Sequence, residues 1–449
     1  MLNYVLLRGE QGAWLRRRAI ASVKPLAALW GAAGLAVILG AAGQLLLARA
    51  LGPAGFGVFI TANSVANMLG PFAAYGVGLM LIQKYGNEGW GARRWVAPSL
   101  RICAAFLLAT TAAFFAWCAT ALDAVAERQA AFLLAPLIAL FAGVQLAESR
   151  FQLEHRYVRV AGWQLSKHFA IFGTGLMAAA AGWTLLQAAL GLSVASAVIA
   201  GFAFWAGSGF CRPGFLLKGH SELRDASSPA KTPSYVTILS EAWPFAATSF
   251  VFLFFFQSSV VIVQWVAGST AAGVYGVAVA VMTAVYLLPR ILYRKFFLAK
   301  VSRWHYQDRA RVDAFTWRIV PTLAVLSAPL AAAIIVAAPF AVKLTFGPEF
   351  AGATLPLQIL SLAVPFRFFS AGLTVAAVET GHVRERVIWQ FAIAIMAVVA
   401  TTFMLPRFGI AGAAAVMVMA EMSLACAYWR LALNNRAAVR QLSTASPQG

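Results

Sequence analysis

Apolar residues in this chain do not alternate with polar ones. They come in unbroken runs of roughly 17–25, the length a helix needs to cross the hydrocarbon of a bilayer. Such runs fall at 26–48, 58–82, 98–120, 130–147, 160–182 and 184–206, and after an interruption at 240–266, 273–289, 319–340, 354–378, 387–405 and 410–431. Continuous runs without period-two alternation predict helices and not barrel strands, since only helices and closed barrels satisfy every backbone N–H and C=O in lipid. The pattern predicts an all-α integral membrane protein of about twelve transmembrane helices.

The interruption at 211–235 holds Pro213, Pro229, Pro233, Ser227 and Ser228 among Lys and Arg, the composition of a solvated linker. The expected organisation is therefore an N-terminal cytoplasmic or interfacial segment (1–25), a first six-helix bundle (26–206), a cytoplasmic linker (207–239), a second six-helix bundle (240–431) and a cytoplasmic tail (432–449). The first apolar run follows Arg8, Arg16, Arg17, Arg18 and Lys24, and Ala48-Arg49-Ala50 imitates a signal cleavage site. The run is longer than the roughly 7–15 residues of a signal core, and more runs follow it, so it reads as a first span.

One motif occurs twice. Leu-Gly-Pro-Ala-Gly-Phe-Gly-Val-Phe at 51–59 and Ala-Gly-Ser-Thr-Ala-Ala-Gly-Val-Tyr at 267–275 place Gly52, Gly57, Val58 and Phe59 on Gly268, Gly273, Val274 and Tyr275 at a single offset. Each copy joins the first and second spans of its own half. Glycine takes positive φ freely and lets helix ends approach without a Cβ between them, so the repeat predicts two equivalent turns in a duplicated architecture.

Composition agrees with the pattern. Hydrophobic residues make up 61% of the chain and charged ones 11%, with a mean hydropathy of +0.77; soluble domains carry about 25% charge. The net charge of +20 is dealt out among many short segments, with no single tail or stripe, so membrane topology explains it better than nucleic-acid binding. With the N-terminus assigned to the cytoplasm, about 30 Lys and Arg fall on that side. The other side receives Arg49, Arg128, Lys343 and Arg407. That asymmetry is the positive-inside pattern and places both termini in the cytoplasm. Cys103, Cys118, Cys211 and Cys426 are widely separated and suggest neither a zinc site nor a disulfide framework.

No His-Glu-x-x-His, phosphate-binding glycine loop or Gly-x-Ser-x-Gly elbow occurs, which argues against an enzyme and implies no cofactor and no metal. Candidate chemistry lies in polar groups within the spans, because an ionisable residue at membrane depth must face protein or water. Arg367 stands in the tenth span between Pro365-Phe366 and Phe368-Phe369. It is either a substrate contact or half of an ion pair with Glu421 in the twelfth. Gln164, Lys167 and His168 share one face of the fifth span by their i, i+3, i+4 spacing, although Lys167 could equally snorkel to the interface. Asn63 and Asn67 in the second span, and Gln257 and Gln264 in the seventh, form stripes suited to interhelical hydrogen bonds or to ligand contact. Arg49 beside the first glycine turn is a weaker candidate. Prolines 321, 329, 339, 356 and 365 permit kinks in the ninth and tenth spans.

Four stretches carry a family resemblance: Leu-Leu-Leu-Ala-Arg-Ala-Leu-Gly-Pro-Ala-Gly-Phe-Gly-Val-Phe at 45–59, Ala-Gly-Val-Tyr at 272–275, Phe-Gly-Pro-Glu-Phe-Ala-Gly-Ala at 346–353 and Pro-Arg-Phe-Gly-Ile-Ala-Gly-Ala-Ala at 406–414. With the six-plus-six layout they make the chain resemble the polysaccharide exporters, the Wzx-type O-antigen flippases, of the multidrug/oligosaccharidyl-lipid/polysaccharide (MOP) superfamily. The resemblance implies a V-shaped pair of bundles, with spans one, two, seven and eight lining a central cavity. It also implies a polyprenyl-diphosphate-linked oligosaccharide as cargo, carried across the bacterial inner membrane by alternating access. The expected partners are this lipid-linked oligosaccharide substrate, membrane lipids and other polysaccharide-assembly proteins, with no nucleic acid. A cationic cavity would offset the burden of bringing a diphosphate to membrane depth.

The sequence departs from the family twice. Gln257, Ser258 and Ser259 stand where many members carry an Asp, and Leu298-Ala299-Lys300 replaces an expected proline before a basic loop suited to an anionic leaflet. A small-molecule antiporter of the same superfamily should carry acidic residues at depth, of which Glu421 is the chief one here. A membrane-embedded polysaccharide polymerase should show a sizeable outer loop, which the run spacing does not leave room for.

Overall fold

The computed structural model describes residues 2–122, 124–212, 215–218, 231–297, 301, 309–379 and 383–445, nearly all helical and with no strand among them. The middle of the linker and most of 298–308, including Leu298-Ala299-Lys300, lie outside the described residues. The first part of the chain forms α1 (Leu2–Ala74), α2 (Val77–Glu88), α3 (Arg93–Ala121), α4 (Val125–Leu133), α5 (Pro136–Leu153), α6 (Tyr157–Ala181) and α7 (Leu185–Gly207). The second part opens with α8 (Tyr235–Ile291), and its later long helices include Ala328–Thr345, Val364–Glu379 and Val383–Ala445.

By length and composition, six helical stretches qualify as membrane-crossing, and a bent pair would make a seventh; three of the six run for 91, 55 and 50 residues. One crossing needs only about 20 residues, so these three are longer than a single passage, and glycines break them. Gly52 inside α1 (φ 66°, ψ 179°) and Gly268 inside α8 (φ 82°, ψ 178°) share one non-helical conformation. Gly409 interrupts Val383–Ala445 at φ 59°.

The first two breaks are full reversals. Lys167 Nζ donates to Asn67 Oδ1 at 2.7 Å, while the ring of the next residue, His168, lies where a Cβ on Gly40 would sit. A straight helix would hold residues 40 and 67 about 40 Å apart. Because adjacent residues of α6 touch both, α1 must fold back at Gly52. In α8 the rings of Phe256 and Tyr286 lie 6.0 Å apart, against about 45 Å along a continuous helix, so it folds back at Gly268.

Helix faces are sorted by size more than by polarity. On α7, Leu186, Leu190, Val194, Val198 and Phe202 recur every fourth residue and are exposed, whereas Ala188, Ala189, Leu192, Ser196, Ala200 and Ala203 are buried. In lipid no hydrophobic drive pulls helices together, so small residues that allow close backbone approach form the contacts. Gly143 of α5 accordingly packs on Ala200 and Ala203.

Two expected runs are broken where the sequence looks uniform. The run 58–82 is interrupted at Tyr75 (φ 46°) and Gly76 (φ 66°), after which α2 begins. There α8 comes so close that a Cβ on Gly76 would lie 2.7 Å from Ala246 N and 2.8 Å from Ala242 O, a separation only glycine permits. The run 354–378 bends by 47° between Ser361 and Val364, just before Pro365, whose ring cannot continue the preceding helix.

Candidate functional site

The two turns found in the sequence touch each other. A Cβ on Gly57 would overlap the carbonyl of Ser269 and approach Gly273 N at 2.9 Å; a Cβ on Gly273 would overlap the carbonyl of Pro53 and approach Gly57 N at 3.0 Å. Pro53 and Ser269 are the same position of the repeat, as are Gly57 and Gly273. The contact therefore reads identically from either copy, as at a two-fold interface.

From this point the second arm of α1, followed by α2, runs antiparallel to the first arm of α8 and forms a seam between the two parts of the chain. Thr61 Oγ1 donates to Gln264 Oε1 at 3.5 Å and Ser64 Oγ donates to Gln257 Oε1 at 2.8 Å. Phe72 then meets Phe250 and Trp243 at ring separations of 4.6 and 6.2 Å. At the far end Lys84 pairs with Glu241 at 3.0 Å.

The glycine-turn end is braced further. Glu127 accepts from Ser269 Oγ at 2.8 Å, and Gln264 Nε2 donates to the same hydroxyl at 2.9 Å. Arg49 donates to Leu344 O, and Phe56 packs edge-on against Phe350 at 6.3 Å. Three of the four stretches that carried the family resemblance thus meet at one end of the molecule. Gln257 and Gln264, singled out in the sequence, make their contacts across the seam, and Arg49 reaches from α1 to the helix Ala328–Thr345.

A second cluster lies inside the first part of the chain. Asn67 Nδ2 donates to Asn63 O at 2.7 Å, and Lys167 Nζ lies 4.0 Å from the centre of the Phe141 ring. Asn63 Oδ1 and His168 Nδ1 are buried without a hydrogen-bond partner. Gln164, one turn before His168, is half-buried. Among the described residues no carboxylate comes within ion-pair distance of Lys167. Asn67 is ten residues beyond Gly57, about 15 Å along the helix and half the thickness of a bilayer core. Among the described residues the Lys167 amine is held by an amide and an aromatic face.

Arg367 is placed differently. Its guanidinium reaches Glu421 Oε1 at 3.5 Å, with side chains 12% and 0% exposed, and lies 4.4 Å from the centre of the Phe256 ring. Of the two accounts open from sequence, the ion pair is the one made in this state. Glu127, Thr61, Ser64 and Ser269 were not singled out by sequence reasoning; Ser269 sits inside the repeated motif, which was the available signal. The buried cysteines Cys103 and Cys118 are far from each other in sequence and unpaired, and among the described residues no His/Cys/Asp/Glu group has metal-site geometry.

These features define a helical membrane protein whose two parts meet along an antiparallel seam, closed at one end by a repeated glycine turn. Residues 23–289 match the family described as polysaccharide biosynthesis protein, and the chain belongs to that family. Among solved structures, the lipid II flippase MurJ in an inward closed conformation superposes with a TM-score of 0.69 at 11% identity, over 94% of this chain and 93% of that one. An inward-facing multidrug resistance MATE family transporter of the MOP superfamily gives 0.64 at 13%, over 92% and 96%. A eukaryotic MATE transporter gives 0.59 at 15%, over 92% and 96%. At these identities the likeness shows a shared fold. No curated protein matches the chain.

Proposed function

We propose that this protein is a flippase that carries a polyprenyl-diphosphate-linked oligosaccharide, the repeat unit of an O-antigen, capsule or exopolysaccharide, across the bacterial inner membrane. In this reading residues 26–206 and 240–431 are two six-helix bundles, twelve spans in all. The linker and both termini face the cytoplasm, and the glycine-turn end faces the periplasm. The bundles rock about the seam, so that a site at mid-depth is reached alternately from the two sides.

The carrying observation is the contact of Lys167 Nζ with Asn67 Oδ1, with no carboxylate within ion-pair distance among the described residues; in this reading the amine stands at mid-membrane depth. A buried Lys is unfavourable by roughly 2.5–3.5 kcal/mol on insertion scales, and an anionic head group would offset that. Asn63 next to Asn67, and Gln164 and His168 on the helix of Lys167, would add further hydrogen-bonding capacity. The polyprenyl tail can stay in hydrocarbon while only the diphosphate and sugar enter. Glu421, the mid-span acidic group noted from the sequence, is engaged by Arg367 and so is not free to hold a cationic substrate.

The test is Lys167→Met, which keeps the length of the side chain and removes its charge. The expected result is normal protein abundance in the membrane with surface glycan reduced at least about tenfold, and partial recovery in Lys167→Arg, which restores the charge. Normal export by well-expressed Lys167→Met would remove this cluster from the cargo site.

A further inference from the structure

We infer that the corner where α5, α6 and α7 end, opposite the glycine turn, is a binding site for an anionic phospholipid, whose phosphate is held by Arg159, Arg212 and Lys218 while its acyl chains lie along α7. The inference needs only that the protein lies in a membrane, so it goes beyond the flippase reading and does not depend on the cargo.

The chain brings the corner together from three segments. Gly70 packs on Phe141 and Gly78 on Ser149, so α5 leads away from the glycine turn, and His155 at φ 55° then turns the chain into α6. Arg150 Nη1 donates to Ala206 O at 2.7 Å, which ties the end of α5 to the end of α7. The linker returns to the same place, where Lys218 N donates to Leu153 O at 3.3 Å. Arg150, Arg156, Arg159, Arg212 and Lys218 are thereby gathered at one end of the first part.

Their charge is not balanced there. The buried carboxylate of Glu154 meets Arg150 at 2.9 Å and Arg156 at 3.2 Å, which uses both of its oxygens. Glu148 is two residues before Arg150, a spacing that does not share a helix face. Arg159, Arg212 and Lys218 have no carboxylate within ion-pair distance among the described residues, whereas Lys84 and Arg94 each have their own, Glu241 and Glu88. The guanidinium groups of Arg150 and Arg159 both stand within 5.3 Å of the centre of the Phe151 ring. A positive-inside bias asks only that cations lie on one side, and does not ask them to converge. Converging guanidinium groups match the oxygens of a phosphate.

The apolar surroundings say which phosphate. Val158, beside Arg159, is 71% exposed, and Phe202 and Trp205 are 63% exposed. Trp205 continues the exposed stripe of α7, and Arg212 stands over its ring at 4.5 Å. Tryptophan favours the level of lipid head groups, and basic groups at that level attract anionic lipids. The seam is made by α1, α2 and α8, so this stripe belongs to the outer wall of the molecule. A lipid that rests there with its chains on α7 satisfies both the charge and the apolar face.

The experiment reconstitutes the full chain in vesicles of phosphatidylcholine with a rising share of phosphatidylglycerol, one lipid or the other carrying brominated acyl chains that quench tryptophan on contact. Excess quenching by the brominated phosphatidylglycerol gives its relative affinity. The wild type should prefer it about tenfold, as a few cations near a membrane surface allow. Arg159→Ala/Arg212→Ala should bind the two lipids alike; Arg212→Ala alone should lose part of the preference and serves if the double variant does not fold. Trp205→Phe should remove the excess quenching, which places the lipid at this corner. No preference in the wild type, an undiminished preference in the folded arginine variants, or excess quenching that survives Trp205→Phe overturns the inference. Displacement of the brominated lipid by one equivalent of a polyprenyl diphosphate would assign the corner to the cargo and overturn it as well.

Discussion

Arg367 and Lys167 both stand in apolar helices but in different surroundings, an ion pair for the first and an amide for the second. Arg367 sits against a fully buried carboxylate, and a charge left behind in such a site is destabilising by about 3–5 kcal/mol. Arg367→Met and Glu421→Met should each lower the melting temperature in detergent by several degrees. The double variant should regain most of the loss, because well-packed apolar residues commonly replace a buried pair without penalty. Single variants as stable as the wild type would show that the pair contributes nothing. Arg367 and Glu421 could be nominated as partners from their mid-span positions alone. The Lys167–Asn67 contact could not, since 100 residues separate them and a lysine ten residues into a helix is equally able to snorkel.

Among the elements, the glycine turns show what sequence can carry. Their offset predicted equivalence, and the structure adds that the copies press on each other with no room for a Cβ on Gly57 or Gly273. Gly273→Val should therefore hold the turns apart. In a cysteine-free background, Ser64→Cys should be nearly inert to an impermeant thiol reagent added from outside, and should react severalfold faster once Gly273→Val is combined with it. Unchanged labelling would mean that the turns do not gate the seam. The Gln257 and Gln264 stripe was also visible in sequence, but its partners Ser64 and Thr61 were not, because side chains of that size recur throughout the spans. The break at Tyr75-Gly76 was hidden for a related reason: its cause is the approach of Ala242 and Ala246 from α8, and the run 58–82 is apolar on both sides of it.

For the whole molecule the expectation concerns sidedness. About 30 Lys and Arg against four place residues 211–235 and 290–318 in the cytoplasm and 343–353 in the periplasm. Single cysteines in each segment of a cysteine-free variant, treated in intact cells with an impermeant maleimide, should be labelled only in 343–353. Labelling of the linker would reverse the orientation and, with it, the assignment of the glycine-turn end to the periplasm. The apolar runs made the helical membrane class plain from sequence. How its two parts join was not, because Thr61, Ser64, Phe72 and Phe250, which meet across the seam, are of types that recur throughout the spans.

The contact between the two turns reads the same from either side in its backbone, but its side chains do not match. Position 53 is a proline, which has no hydrogen to donate, while its counterpart, Ser269, holds a hydroxyl that bonds both Gln264 and Glu127. Were the two turns supplied by identical chains, every substitution would be made twice, and the junction would have to be a proline on both sides or a serine on both. A single chain that carries both copies escapes that constraint. One side of the junction can be fastened and the other left merely touching, so the two parts are joined by something closer to a hinge with a clasp than to a mirror-image handshake.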